Sequence, residues 1–378
     1  MFVAHQSFQP DHLSEAVDGF RKQGVVPNHE YNAPDARRRS VKAAVDVMGG
    51  DHAPHAILQG CWDAASLLDP TDQILLVGDK AVIEPALAAA SLTAEQRALY
   101  QVVHTTQVIA MDDSPVEAVR GKPDSSIAVM CKLAAAGQAD AVISAGNTGA
   151  CVAAAQLRMR TIPGVARPGI AVAMPSIHGP VIVCDMGANV APKKSHFVQY
   201  AIMASAYAES MGRENPRVGL LSIGEEDSKG TALVKGLNQI LKDEPQINFI
   251  GNVEGKDVFR GVCDVVVTDG FTGNVLLKAA EGMAEGLMAS IKKELSALEP
   301  SQQQAFGAVL KKAYGRFDWQ EAGGAPLLGV GGICLIAHGR SDARAIRSAI
   351  RAAKTLVGKN INGNISQRIG KANAVSDD

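Results

Sequence analysis

Aromatic residues make up only 4% of this 378-residue chain, which argues against a base-stacking platform for nucleic acid. A formal net charge of −2 adds no basic field that would draw in a polyanion. No apolar run reaches the ~18 residues of a membrane span; PLLGVGGICLIA, at 326–337, is short, broken by glycines and closed by His338. Cysteine pairs of the CxxC type are missing. The six cysteines are scattered (61, 131, 151, 184, 263 and 334) and five lie inside apolar runs. Buried reduced thiols are therefore expected, which suits a cytoplasmic compartment.

Nucleotide and metal signatures are missing too. No G-x-G-x-x-G occurs; Gly329-Val-Gly331-Gly-Ile-Cys334 comes nearest and has Cys where the third Gly belongs. The Gly-Lys pairs that begin at 121, 255, 358 and 370 lack the Ser or Thr of a P-loop. The nucleophilic G-x-S-x-G is absent, and Gly339-Arg-Ser341-Asp342 reads as a helix N-cap with Asp342 in the first turn. In His52-Ala-Pro-His55, Pro54 is expected at the first helical position, which turns the two histidines apart and leaves no metal site.

What the chain does have, from position 41 onward, is alternation. QILLVG, DAVISAG, PVIVCDMG, RVGLLSIG and VCDVVVTDG are short β-rich runs, each closed by Gly or Asp and followed by a segment of helical period. That pattern predicts an α/β fold with a mostly parallel, doubly wound sheet and helices on both faces. Pro85 is expected to break or kink the helix that it enters. In such sheets ligands sit beyond the carboxyl ends of the strands, where the polar clusters of this sequence fall.

Five clusters stand out. The first is Asp46 with Gly49, Gly50, Asp51 and His52; the second is Ser144, Gly146, Asn147, Thr148 and Gly149. The third runs from Asp185 to Asn189, the fourth from Gly224 to Ser228 with Glu225 inside it and Lys229 just after, and the fifth holds Asp269, Thr272, Gly273 and Asn274. All five are expected to converge on one cleft. Glycine-rich turns at helix N-termini present free N–H groups to an anion, so the 144–149 loop is expected at the surface, holding a nucleotide's phosphate or a free one, or serving only as a tight turn. Asn252, at another strand end, and Lys193 and Lys194, just past Asn189, add donors and charge.

Ten motifs carry a family resemblance: AVDVMGGDHAP, DDSPVEAVR, AVISAGNTGA, IPGVARPGIA, CDMGANV, RVGLLSIGEEDSKG, NFIGNVEGKD, VVVTDGFTGNVLLK, GGAPLLGVGG and AHGRSDARA. In register from about 41 to 355, they closely resemble the bacterial phosphate acyltransferase family PlsX. One departure is Ala191-Pro192-Lys193-Lys194, where the family more usually has an acidic or small residue, a Lys and then Pro; Lys193 still aligns with the family lysine. The resemblance implies transfer of an acyl group from acyl carrier protein to inorganic phosphate, the step that feeds glycerol-3-phosphate acylation in phospholipid synthesis. It also implies a homodimer, no organic cofactor, and a fold akin to phosphotransacetylases and isocitrate-dehydrogenase-like enzymes.

On that footing Asn147, Thr148 and Gly149 are the expected phosphate or oxyanion donors, and Lys193 is the positive partner of phosphate. Asp46, Asp51, His52, Asp185 and Asp269 are expected to line the cleft, acting on a proton or holding a loop. The alternative is an NAD-dependent decarboxylating dehydrogenase on a related fold; a non-catalytic acyl or phosphoprotein binder is a third reading.

The organisation expected is a polar, poorly ordered extension at 1–40, a single α/β domain at 41–358 and a polar tail at 359–378. Within the domain, about 273–317 reads as a helical hairpin with Phe306, Val309, Leu310, Ala313 and Phe317 at helical spacing beside Lys311, Lys312 and Arg316. That face either packs on a second copy or touches the acidic carrier protein or the membrane surface, where a glycerol-3-phosphate acyltransferase would take the product.

Overall fold

The computed structural model describes residues 40–315 and 323–377. The extension at 1–39, together with Arg316 and Phe317, lies outside the described residues, as do the side chains of Lys311, Lys312 and Ala313. In chain order the elements are β1 (Lys42–Asp46), α1 (His55–Asp63), a 3-10 turn (Ala64–Leu67), β2 (Gln73–Gly78), α2 (Lys80–Ala89), α3 (Ala94–Arg97), β3 (Tyr100–His104), α4 (Pro115–Gly121) and α5 (Ser126–Ala135). Next come β4 (Ala141–Ser144), α6 (Thr148–Ala154), which continues as a π-helical turn (Ala155–Met159), and β5 (Gly169–Met174). The chain goes on through β6 (Val181–Cys184), α7 (Lys194–Ser210), β7 (Arg217–Leu221), α8 (Ala232–Lys242), β8 (Asn248–Val253), α9 (Gly255–Arg260), β9 (Val265–Val267), α10 (Gly270–Ser296) and α11 (Pro300–Gly315). It ends with β10 (Ala325–Leu328), β11 (Ile333–Ile336), α12 (Ala343–Gly358) and α13 (Ile361–Ile369).

These residues fall into two compact units, where the sequence suggested a single domain. One takes the described chain up to Ile170 and again from Gly323 to Ala372; the other takes Ala171 to Gly315 and Asn373 to Asp377. In the first unit the strand order is β3-β2-β1-β4-β11-β10, parallel except for β10 against β11. In the second the order is β5-β6-β9-β7-β8, parallel except for β5 against β6. The mostly parallel α/β class predicted from the alternation is the one observed.

Local chemistry explains why the elements start where they do. Asp79, Ser125, Asn147, Thr231, Asp269 and Asp342 each accept a first-turn backbone N–H of the helix that follows. Asp342 thus caps α12 in place of the expected Ser341, which is buried. Pro54 stands at the N-cap of α1, one position earlier than expected. Helix α2 runs through Pro85, its sixth residue, without a break; the proline forgoes the one bond its N–H would have given to the Ala81 carbonyl.

Parallel register sets the edges. Val45 pairs with Ile143, Asp46 with Val77 and Ser144 with Ile336, so β1, β2, β4 and β11 all end on one edge. In the second unit Cys184 pairs with Val267, Val267 with Leu220 and Leu221 with Val253, which aligns the ends of β6, β9, β7 and β8. Val45, Leu76, Ile143 and Cys334 fill the first core, and Val183, Ile202, Val218 and Val266 the second. Complete burial of a side chain of this size stabilises by ~1.5–3 kcal/mol.

The segment read as a polar tail contributes α13, whose Ile361, Ile365 and Ile369 are buried at helical spacing. Helix α1 lies against α12 through Gly60, where a Cβ would stand 2.6 Å from both the Ala343 carbonyl oxygen and Ile346 Cβ. Gly60→Val is therefore expected to cost about 1–3 kcal/mol through overpacking. Chemical denaturation checks this, and unchanged stability would show that the helices separate freely.

Candidate functional site

The sequence-predicted residues gather into two groups, one in each unit. In the first, β1 ends in Asp46, which is fully buried. One of its carboxylate oxygens accepts the Ser144 hydroxyl (2.6 Å) and the other the Met48 N–H (3.1 Å). Burial raises its pKa above the ordinary carboxylate value, against the lowering effect of bonds from Ser126, Ser144, Met48 and Gly49. Ser144 Oγ accepts the Gly146 N–H in turn (3.0 Å). Gly49 has to be glycine, because a Cβ would lie 2.3 Å from Asp46 Oδ2 and 2.8 Å from the Gly146 nitrogen. The turns after β1 and β4 are thereby locked to each other through one buried acid.

Asn147 works for the fold on both ends of its amide. Its oxygen accepts the Ala150 N–H (2.9 Å), and its nitrogen faces the carbonyls of Ala110 (3.3 Å), Met111 (3.2 Å) and Asp113 (3.1 Å). Read from sequence as a donor to phosphate, this amide is committed to the chain itself. The loop expected at the surface is also mostly buried, with Thr148 its one exposed residue. The correction has a physical basis: the 110–113 segment folds over the loop and needs a donor for its carbonyls.

The 338–341 loop joins this edge: the Asp51 N–H donates to the Gly339 carbonyl (2.8 Å), and Gly50 adopts φ 107° beside Ala145 and Gly339. Asp51 and His52 remain exposed there. Neither the 110–113 segment nor Gly339 was picked out as part of the site, although both fall within or beside the motifs DDSPVEAVR and AHGRSDARA. Their contacts span 34 to 288 positions along the chain, which no local spacing reveals.

The second group repeats the device. Asp185, also fully buried, accepts the N–H of Ala188 (3.0 Å) and of Asn189 (2.7 Å), and Asn189 Nδ2 lies 3.3 Å from the same carboxylate. The Gly270 N–H donates to the Asn189 carbonyl (2.8 Å). A Cβ on Gly273 would meet the Asp185 carbonyl oxygen at 2.1 Å, so α10 begins pressed onto the 185–189 turn. Asp269 caps α10, accepting the Thr272 N–H and hydroxyl, each at 2.8 Å. Thr272 and Asn274 are exposed, and Asn274 lies over Gly187.

Asn252 accepts from Asn238 (3.1 Å) and donates to the Glu226 carbonyl (2.9 Å), fixing the loop that exposes Glu225 and Lys229. Lys193 immediately precedes α7, with its side chain 66% exposed.

In this arrangement the buried acids hold loops, while cationic and N–H donors stand at the strand ends. Such a set suits binding and orienting an oxyanion. All six cysteines are free and buried. Burial pushes their thiols up, Cys263 and Cys334 to about 12, so none is primed as a thiolate nucleophile. No cluster of three or more metal-ligating side chains is found among the described residues.

Replacing Asn147 with Ala removes a helix cap worth ~1 kcal/mol and leaves up to three carbonyls short of a donor. The variant is expected to lose at least about 2 kcal/mol of stability, read by denaturant titration. A fully stable Asn147→Ala protein would return this side chain to direct ligand binding.

Residues 41–364 match the model of a family described as fatty acid synthesis protein. The phosphate acyltransferase of Heliobacterium modesticaldum is 46% identical over 339 residues, which is 89% of this chain and 100% of that protein. That of Nostoc punctiforme is 46% identical over 322 residues, covering 84% of this chain and 93% of its own. Among solved structures, the EutD phosphotransacetylase of Staphylococcus aureus superposes with a TM-score of 0.55 at 14% identity, over 92% of this chain and 99% of that one. A phosphotransacetylase of Streptococcus pyogenes gives 0.55 at 16% identity, over 84% and 94%. At such identities these two likenesses describe the fold alone, but the sequence matches go further: this chain belongs to the phosphate acyltransferase family and is an acyltransferase.

Proposed function

We propose that the acyl donor is a fatty acyl thioester of acyl carrier protein and the acceptor is inorganic phosphate, giving an acyl phosphate for phospholipid synthesis. The observation that supports this most is the family match across 41–364. The chemistry suits the site. A phosphate oxygen attacks the thioester carbonyl, the new C–O bond forms, the C–S bond breaks, and the carrier's sulfur leaves and takes a proton.

Phosphate is already an anionic nucleophile, so no serine or cysteine need be acylated on the way. What the protein has to supply is positioning and donors for the developing oxyanion. Each unit brings its own donors to this proposal: Lys193 as the cation for phosphate in the second, and the N–H groups that open α6 at Thr148 and Gly149 in the first. His52 and Asp51, exposed after β1, are the groups proposed to handle a proton, whereas Asp46 and Asp185 keep the turns in shape. No organic cofactor enters the reaction. The working form is a homodimer in the cytoplasm.

Incubation with acyl carrier protein thioester and radiolabelled inorganic phosphate should move the label into an organic-soluble acyl phosphate as the free carrier thiol appears. Thioester loss at the same rate without phosphate would end this reading.

The product is amphipathic and has to reach an acyltransferase in the membrane. Among the described residues no helix is long and apolar enough to cross a bilayer, so contact would be peripheral. Phe306 and Val309 are 55% and 67% exposed on α11, with Met283 and Leu287 exposed on α10. Phe306→Glu combined with Val309→Glu is expected to lower liposome co-sedimentation by roughly tenfold or more, from the ~1.5–3 kcal/mol of burial lost per side chain. Dimer formation and turnover of soluble substrate should persist. Loss of the dimer instead would assign this face to contact between protomers.

A further inference from the structure

The chain after α13 is anchored. Asn373 donates its N–H to Glu244 Oε2 (2.9 Å) and its side-chain amide to the Asp243 carbonyl (2.7 Å), at the C-terminal end of α8. Four residues on, Asp377 reaches the start of α7. One carboxylate oxygen accepts the Ser195 N–H (3.0 Å), the other accepts the Ser195 hydroxyl (3.0 Å), and Lys193 Nζ stands 3.7 Å away.

Helix α7 is 17 residues long, so its first turn carries the positive end of a full macrodipole. Partial burial raises the Asp377 carboxyl, but the two bonds from Ser195 and the charges of Lys193 and His196 outweigh it and hold the group below its ordinary value. A backbone N–H, a hydroxyl and an ammonium closing on two oxygens is the way helix N-termini hold phosphate. Here the oxygens come from the chain itself, 182 positions away. The contact is also open to solvent, since the Lys193 side chain is 66% exposed and that of Asp377 27%. An anion from solution could reach the same donors.

We infer that the N-terminus of α7 is an oxyanion site of the phosphate class and that Asp377 is its resident competitor, seated there until inorganic phosphate displaces it. This rests on the reading of Lys193 as the cation for phosphate. A carboxylate on a short anchored tail has an effective concentration of order millimolar, so a weak contact suffices to occupy the site. Phosphate then binds with an apparent affinity reduced by the fraction of molecules whose tail is released. The tail would thereby set the phosphate level at which the enzyme turns on, without changing the chemical step.

Calorimetric titration of inorganic phosphate into the full chain, with no acyl donor present, tests this directly. Asp377→Ala is expected to bind phosphate about three- to tenfold more tightly than the native chain. Asp377→Asn, which keeps an acceptor for Ser195 but loses the charge, should fall between the two. In acyl transfer, KM for phosphate should drop by the same factor while kcat holds. Equal phosphate affinity in native and Asp377→Ala protein would overturn the inference, as would an absence of phosphate binding in both. Tighter binding in Asp377→Ala protein that makes no acyl phosphate would leave the anion site standing and remove only the proposed reaction.

Discussion

A carboxylate sealed beneath the first strand edge is the constraint on which the rest of the site depends. Asp46 has no access to water, so the cost of its burial is offset by the bonds it accepts, from the Ser144 hydroxyl and the Met48 N–H. Those bonds dictate where the two neighbouring turns go, and they leave no room for a side chain at Gly49. The second unit reaches the same solution with Asp185 and the turn to Asn189. In both, an acid that looks catalytic from its place at a strand end serves as the internal brace of a glycine turn.

The α/β alternation was plain in the sequence because parallel strands buried on both faces appear as continuous runs such as VIVC and VVV, with a polar break after each. Burial of five of the six cysteines was equally readable from the apolar runs around them. The strand-end loops could be found for the same reason, since only small and polar residues allow such tight turns. What could not be read was the direction in which each polar group points. Asn147 at the end of a strand is equally suited to a ligand or to the chain, and the carbonyls of Ala110, Met111 and Asp113 that claim it lie more than 30 residues away.

Helix α13 escaped notice for a different reason. Its Ile361, Ile365 and Ile369 are sound helical periodicity, but they stand among Asn, Gly, Ser, Gln and Arg, and average composition hid the stripe. The division into two units was equally invisible. The chain leaves the first unit within β5, whose Gly169 and Ile170 pair with β10 while Ala171 to Met174 pair with β6. A boundary inside a strand leaves no linker to mark it.

The meshing of α10 with the 185–189 turn has a mechanical consequence. Helix α10 has 27 residues and buries only Gly270 and Gly273, so it stands as a rod ~40 Å long held at one end. Because Gly273 sits against the Asp185 carbonyl and Gly270 against that of Asn189, the rod has its fulcrum on the turn itself. A tilt of ~5° displaces the far end by ~3–4 Å over that length, yet moves the meshed glycines by only tenths of an ångström. Load applied along the hairpin thus arrives at the turn demagnified in distance and amplified in force, as at the short arm of a lever.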